Sequence, residues 1–368
     1  MESNNVKSKR IASVDVLRGF TIAAMILVNT PGTWSHVYAP LLHADWHGYT
    51  PTDLVFPFFL FIVGISISFA YKNKPNNFET NRKILIRSLK IIGLGLFLGW
   101  FLPYIPFFKP FSELRIPGVL QRIGVVFFIA AVLNLNFSWK GLLAIAIVIL
   151  VGYWLWMGFV PLNGELPTFD RAPNNWANYI DVKFFGNHTY KPDYDPEGLL
   201  STLPSIVSAI IGILIGGILN EFKYNKLMSL TVLGVLMILL GTIWNTWFPI
   251  NKALWSSSFV LVTAGWATLI LGIVHYIMDE KQIKFGSIFK YVGSNAIVIY
   301  FMSSFVSKIF GRIKVNETES IHSWLYHTFY TSFISTDKLA SMLYALTVVA
   351  FYMLLGYILY KRNIFIKV

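Results

Sequence analysis

Apolar runs of about 20 residues recur along this chain, and that length is what an α-helix needs to cross the hydrocarbon core of a bilayer. They fall at about 14–34, 53–72, 84–104, 117–136, 141–160, 198–219, 227–247, 254–278, 288–310 and 338–360. The expected fold is an all-α polytopic membrane helix bundle of about ten transmembrane helices, one domain over 1–368. Charged residues make up only 13% of the chain, about half of the roughly 25% usual in soluble domains. The polar start is followed by an apolar run over 20–28 that reaches Asn29 and Pro31 without a small-residue cleavage site, so it reads as a retained first span. Asp15 and Arg18 in its opening turn are spaced to pair on one helix face.

The net charge of +12 would suit a nucleic-acid partner. The cations, however, sit in alternate short connections. Lys7, Lys9 and Arg10 precede the first span; Lys72, Lys74, Arg82, Lys83 and Arg87 flank the second connection. Lys140, Lys223, Lys226, Lys281, Lys284, Lys290, Lys361, Arg362 and Lys367 continue the series. All lie on one side of the bundle, expected to be the cytoplasm, with both termini there and no nucleic acid involved. The chain has no cysteine, which removes disulfides, thiolate metal sites and a cysteine acyl intermediate.

The opposite connections carry histidines and acids. Between the first two spans lie Asn29, His36, His43, Asp45, Trp46, His47 and Asp53. A neutral imidazole accepts a proton near pH 7, as an amine attacking a thioester requires. An asparagine amide donates to a developing oxyanion, and a carboxylate can orient the imidazole. The same residues also read as a solvated loop, with Asp53 as a helix N-terminal acid and Thr52 as its cap. His43 and His47 have ligand-like spacing but lack the glutamate of the zinc-protease motif, so no metal is expected. The segment 161–197 is long and polar, yet its aromatics, Phe169, Trp176, Tyr179, Tyr190 and Tyr194 among them, argue for an ordered cap over the outer mouth.

Polar groups inside spans are costly and point to function. Gln121 and Arg122 open the fourth span after Arg115-Ile116-Pro117-Gly118; Arg122 either snorkels or faces a polar cavity. Ser294 and Asn295 fall within the ninth; Asn295 either bonds a neighbouring helix or meets a ligand. Arg82, Lys83, Arg87 and Arg18 either set topology or bind phosphate. No phosphate loop, dinucleotide fingerprint or Gly-x-Ser-x-Gly elbow is present.

Several blocks resemble the heparan-α-glucosaminide N-acetyltransferase family. They are Ser13-Val14-Asp15-Val16-Leu17-Arg18-Gly19, Val28-Asn29, His43-Ala44-Asp45-Trp46-His47-Gly48 and Asp53-Leu54-Val55-Phe56-Pro57. Arg115 to Arg122, Tyr194-Asp195-Pro196-Glu197-Gly198, Pro249-Ile250-Asn251-Lys252, Leu254-Trp255-Ser256 and the tail from Tyr360 to Lys367 continue the match in order. The resemblance implies transfer of acetyl from cytoplasmic acetyl-CoA to the amine of a terminal glucosamine on the other side of the membrane, by a homodimer. It carries the active histidine onto His43 and its asparagine partner onto Asn29. The spacing of these two is longer than in the animal enzyme, Asp45 and His47 replace uncharged polar residues, and the extra N-terminal helix and lumenal domain are missing. The chain therefore looks like a bacterial relative in the inner (cytoplasmic) membrane, acting on a single amino sugar or a short periplasmic oligomer.

The expected site has His43 as base, Asn29 as oxyanion donor and Asp53 as orienting group. Asp45, Arg122, Asp195 and Glu197 hold the amino sugar. Arg18, Arg82, Lys83, Arg87, Gln121, Ser294 and Asn295 hold coenzyme A. The rival expectations are an amino-sugar or small-solute transporter, and an O-acyltransferase acting on glycans.

Overall fold

The structure, a computed structural model, describes residues 11–221 and 225–366. Lys7, Lys9, Arg10, Lys223 and Lys367 lie outside these residues. The described chain is helical: α1 (Ala12–Asn29), α2 (Pro51–Tyr71), α3 (Phe78–Trp100), α4 (Val119–Asn136), α5 (Trp139–Phe159), α6 (Trp176–Phe185), α7 (Leu199–Glu221), α8 (Lys226–Trp244), α9 (Ser257–His275), α10 (Ser287–Gly293), α11 (Ala296–Arg312), α12 (Ile321–Tyr326) and α13 (Asp337–Lys361). Only isolated bridges, such as Phe101 with Phe108, have β geometry among the described residues. That suits a chain in lipid, where each backbone polar group must be paired within its own segment.

Among the described residues, eight helices are long and apolar enough to cross a membrane, and a ninth crossing is the bent pair α10–α11. The expected count of about ten differs at α3, which has 23 residues but carries Glu79, Arg82, Lys83, Arg87 and Lys90 from its start to just past its middle. It still runs between the two ends of the bundle, packed on α4. The expected continuous span at 288–310 breaks at Ser294–Asn295 with a bend of 78°. Asn295 stabilises the break: its Nδ2 donates to Ile364 O at 3.0 Å and its Oδ1 accepts from Ile366 N at 2.9 Å. The tail is thereby strapped to the bend.

Burial separates central helices from peripheral ones. The apolar window of α7 is 72% buried and that of α8 only 17%, so α7 belongs to the core and α8 lies at its periphery. The core is built chiefly from α1, α2, α4, α7 and α9, with Ile22, Leu60, Ile65, Val126, Ile210 and Phe259 fully enclosed. Small residues bring axes close: a Cβ on Gly64 would lie 1.9 Å from Ala209 O, and one on Gly212 2.0 Å from Phe61 O. Without lipid-driven hydrophobic association, such van der Waals contact is what joins helices in a membrane.

The connections rich in histidine and acid gather at one end. Gly32 N donates to Ser341 O, Gly48 N to Ile250 O, and Ile116 N to His188 O. The 161–197 segment is ordered, as its aromatics suggest. It holds α6, whose N-terminus is capped by Asn175 Oδ1, and it packs Phe169 against Phe248 at 4.6 Å.

Candidate active site

At the histidine end, α1, α2, α4, α11 and the loops from 43–46, 190–197 and 252–253 enclose a cavity of about 290 Å³. The start of α2 organises it. Thr50 forms a reciprocal capping box with Asp53; the cap is therefore Thr50, while Thr52 donates its hydroxyl to Pro40 O. Asp53 is 1% exposed. Its Oδ2 accepts from Ala44 N, Thr50 N and the Thr50 hydroxyl. Its Oδ1 lies 2.7 Å from His43 Nδ1. Asp53 thus serves both as helix cap and as imidazole partner, because the two oxygens of one carboxylate face opposite groups. With its lone pairs committed to donors, the carboxylate takes the N–H of His43 Nδ1, which leaves Nε2 as the free basic nitrogen. The His43 side chain is half exposed, at 51%.

Asn29 lines the same cavity, with its Nδ2 donating to Met25 O at 2.8 Å. Asp45 stands exposed at the rim. Glu197 also lines the cavity but is held by Arg115, which binds both Asp195 and Glu197 and stacks on Tyr190 at 4.9 Å. Burial alone would raise the Glu197 carboxyl, but the charges of Arg115, Arg122 and Lys252 bring it below its ordinary value. Burial works against the Arg115 guanidinium too; hydrogen bonds and charge from Asp195 and Glu197 outweigh it and hold the proton more firmly than usual.

Two of the expected acceptor residues lie elsewhere. Asp195 is 1% exposed and faces Arg115 and the backbone of Tyr190 and Glu197, so it shapes the loop and does not line the cavity. Arg122 neither snorkels nor reaches the cavity. It turns toward the start of α7, donates to Gly198 O and Ser201 Oγ, and lies over the Trp255 ring at 5.1 Å.

A second cavity, of about 440 Å³, opens at the other end. Arg18, Ser66, Tyr71, Arg87, Ser294 and Asn295 contribute its polar lining, and Ile366 of the tail reaches its wall. Arg18 bonds Asp15 Oδ1 and Ser66 Oγ, each at 2.8 Å. The Arg87 guanidinium sits over Phe127 at 4.8 Å. Arg82, Lys83 and Gln121 do not line this cavity. Arg82 and Arg87 are five positions apart, which turns the side chains about 140° apart around the helix; Arg82 lies in an outer groove with Leu85 and Phe128. Lys83 pairs with Glu79 in solvent. Gln121 folds back onto Ile116 O.

The same helices line both cavities. Phe56, Val119 and Tyr300 face the histidine side; Phe59, Ile123 and Ile297 face the arginine side. These pairs are three or four residues apart, so on these three helices the partition between the two spaces narrows to about 5 Å along the axis, near one helical turn; on α1 it runs from Arg18 to Met25.

Lys252 was not expected at the site. Its Nζ lies 3.0 Å from His43 Nδ1, 3.2 Å from His43 Nε2 and 3.6 Å from Asp53 Oδ1. Burial lowers the ammonium below the ordinary lysine value, against the opposing pull of Asp53 and Glu197. Trp46, Tyr190, Tyr194 and Tyr300 supply aromatic walls. In the sequence Trp46 stands in the loop cluster and Tyr190 and Tyr194 among the cap aromatics, whereas Tyr300, inside a span, carries no signal that separates a site residue from packing.

The fold and this site define a polytopic helical membrane protein with a histidine–carboxylate pair opening onto an internal cavity. A family model described as heparan-alpha-glucosaminide N-acetyltransferase, catalytic, matches residues 10–241. The chain belongs to that family. It is 30% identical to the human heparan-alpha-glucosaminide N-acetyltransferase over 98% of this chain and 60% of that protein. The mouse protein of the same name is 28% identical over 100% of this chain and 62% of its own length. The chain thus spans about 60% of the length of these curated relatives.

Proposed function

We propose that the protein transfers acetyl from acetyl-CoA to the amine of glucosamine or a related amino sugar. In this reading the arginine end is cytoplasmic and the histidine end faces the periplasm of a bacterial inner membrane, with both termini inside. The observation that carries it is the His43–Asp53 pair, oriented at 2.7 Å, in a cavity one helical turn from a second cavity that holds Arg18 and Arg87.

The two arginines suit the phosphates of coenzyme A, since guanidinium groups bind phosphate oxygens by paired hydrogen bonds. Ser294 and Asn295 add polar lining. The partition is thin enough that the pantetheine arm, threaded between α2, α4 and α11, presents its thioester below His43. The acceptor binds from the outer mouth beside Asp45 and Glu197 as its ammonium, attracted by their charge, and gives one proton to solvent before it attacks as the neutral amine. His43 Nε2 takes the proton of the amine as nitrogen attacks the carbonyl, and Asp53 keeps the ring in the tautomer that allows it. Direct transfer within a ternary complex places all three groups in one cavity. An acetyl-histidine intermediate is its alternative, and burst kinetics reveal that route. Family resemblance also suggests a homodimer.

The test is purified protein with labelled acetyl-CoA and a panel of amino sugars, followed by product identification. An N-acetylated sugar formed by wild type and lost in His43→Ala, in protein that still binds acetyl-CoA, is the expected result. Sugar uptake without coenzyme A dependence would establish a transporter instead, and ester products an O-acyltransferase.

A further inference from the structure

Lys252 lies in the connection between α8 and α9, on a backbone with little freedom. Asn251 N donates to Ser256 Oγ at 3.0 Å, and Asn251 Oδ1 accepts from Leu254 N at 2.9 Å. Ile250 O accepts from Gly48 N, and Lys252 O from Trp255 N. This turn directs the side chain, only 19% exposed, across the cavity to His43.

The ammonium is almost equidistant from the two ring nitrogens, at 3.0 and 3.2 Å. An atom so placed in the plane of the imidazole would overlap Cε1. It therefore rides over the ring, and the in-plane lone pair of Nε2 stays open to the cavity. A cation in this position acts on charge that forms beside the ring. Its value lies where negative charge develops next to Nε2. Asn29, the expected oxyanion donor, already gives one amide N–H to Met25 O; Lys252 brings a full charge in a largely enclosed site, where such charges act most strongly.

We infer that Lys252 is a catalytic residue whose ammonium holds the acetyl oxygen while the acceptor amine attacks. The inference rests on the acetyl-transfer reading above. As the nitrogen–carbon bond forms, the carbonyl π pair moves onto oxygen beside Lys252 Nζ. The amine proton passes to His43 Nε2. The oxygen pair then returns, the carbon–sulfur bond breaks, and the thiolate leaves with its electrons and takes the proton from His43. Lys252 ends with the protons it began with.

Lys252→Met, Lys252→Gln and Lys252→Arg test this in the full-length protein in detergent, with acetyl-CoA and glucosamine as substrates. Loss of one oxyanion donor lowers kcat by about 10²–10³-fold, and that drop is expected for Met and Gln. KM for both substrates and calorimetric affinity for acetyl-CoA stay near wild type, and Arg recovers part of the loss. Gln preserves the polar contact should Met fail to fold. A kcat within a few-fold of wild type in a folded variant overturns the role of Lys252 alone. So does a loss carried by KM or by acetyl-CoA affinity. Wild type that acetylates no amine removes the reaction itself, a failure of the function and distinguishable from the first.

Discussion

Phe56 and Phe59 stand less than one turn apart on α2, yet they line different cavities. Three residues rotate a helix by about 300° and advance it about 4.5 Å, so neighbouring rings sit on either side of the partition. Filling that partition separates donor from acceptor without touching His43. Ile297→Trp should lower kcat/KM for acetyl-CoA by about tenfold or more, on the scale of misplacing a bound reactant. Steady-state kinetics with each substrate varied in turn measures it, and an unchanged value would mean that the donor does not pass between these helices.

Arg87 and Lys83 were grouped in the sequence, and the structure divides them. Arg87 lines the arginine-side cavity, whereas Lys83 forms a solvent-exposed pair with Glu79, of a kind that contributes little because water screens it. Arg87→Ala should weaken acetyl-CoA binding by about tenfold, the scale of a lost charge-assisted hydrogen bond, and Lys83→Ala should leave it as in wild type. Isothermal titration of the two variants decides; equal losses would put the phosphates on the outer face of α3.

Asp181 of α6 is 2% exposed, and its Oδ1 accepts from Leu199 N at the start of α7. Burial, reinforced by the charge of Asp195, raises its carboxyl to about 7 from an ordinary 3.8. The folded state therefore retains a proton that the unfolded chain releases above pH 4. Stability from this group is greatest at low pH, falls as pH rises between about 4 and about 7, and is level above that. Asp181→Asn should flatten this part of the profile. Thermal unfolding in detergent at intervals from pH 4 to 8 would show it, and an unaltered slope excludes Asp181 as its source.

Asn295 joins the helix break to the tail through Ile364 O and Ile366 N, and Ile366 lines the arginine-side cavity. Asn295→Ala removes both bonds, each worth about 1 kcal/mol. Amide exchange at Ile366 should rise several-fold, and KM for acetyl-CoA should shift because a wall of the cavity loosens. Hydrogen-exchange mass spectrometry reads the first effect. Protection equal to wild type would mean that packing, not Asn295, holds the tail.

The apolar runs by themselves dictated a helical bundle in a membrane, because a bilayer leaves a long apolar segment no other way to satisfy its backbone. Alternating basic connections supplied an expectation for which helix ends lie together, and the cluster from Asn29 to Asp53 drew attention to one end. Local rules reached as far as Asp53: its position in the first turn of α2 follows from the cap, and His43, ten positions earlier, returns to it through the loop before α2. Tertiary structure alone decided the rest. Lys252 reaches His43 from 209 residues away, through a turn whose direction no local pattern encodes. Arg122, Asp195 and Gln121 occupy the same short blocks as cavity residues, but each points elsewhere: on α4 one residue turns a side chain by about 100°, and Asp195 is turned into its own loop by Arg115 and the backbone of Tyr190 and Glu197. Charge and spacing select the residue types, whereas the packing angle of neighbouring helices selects which of them meet in one space.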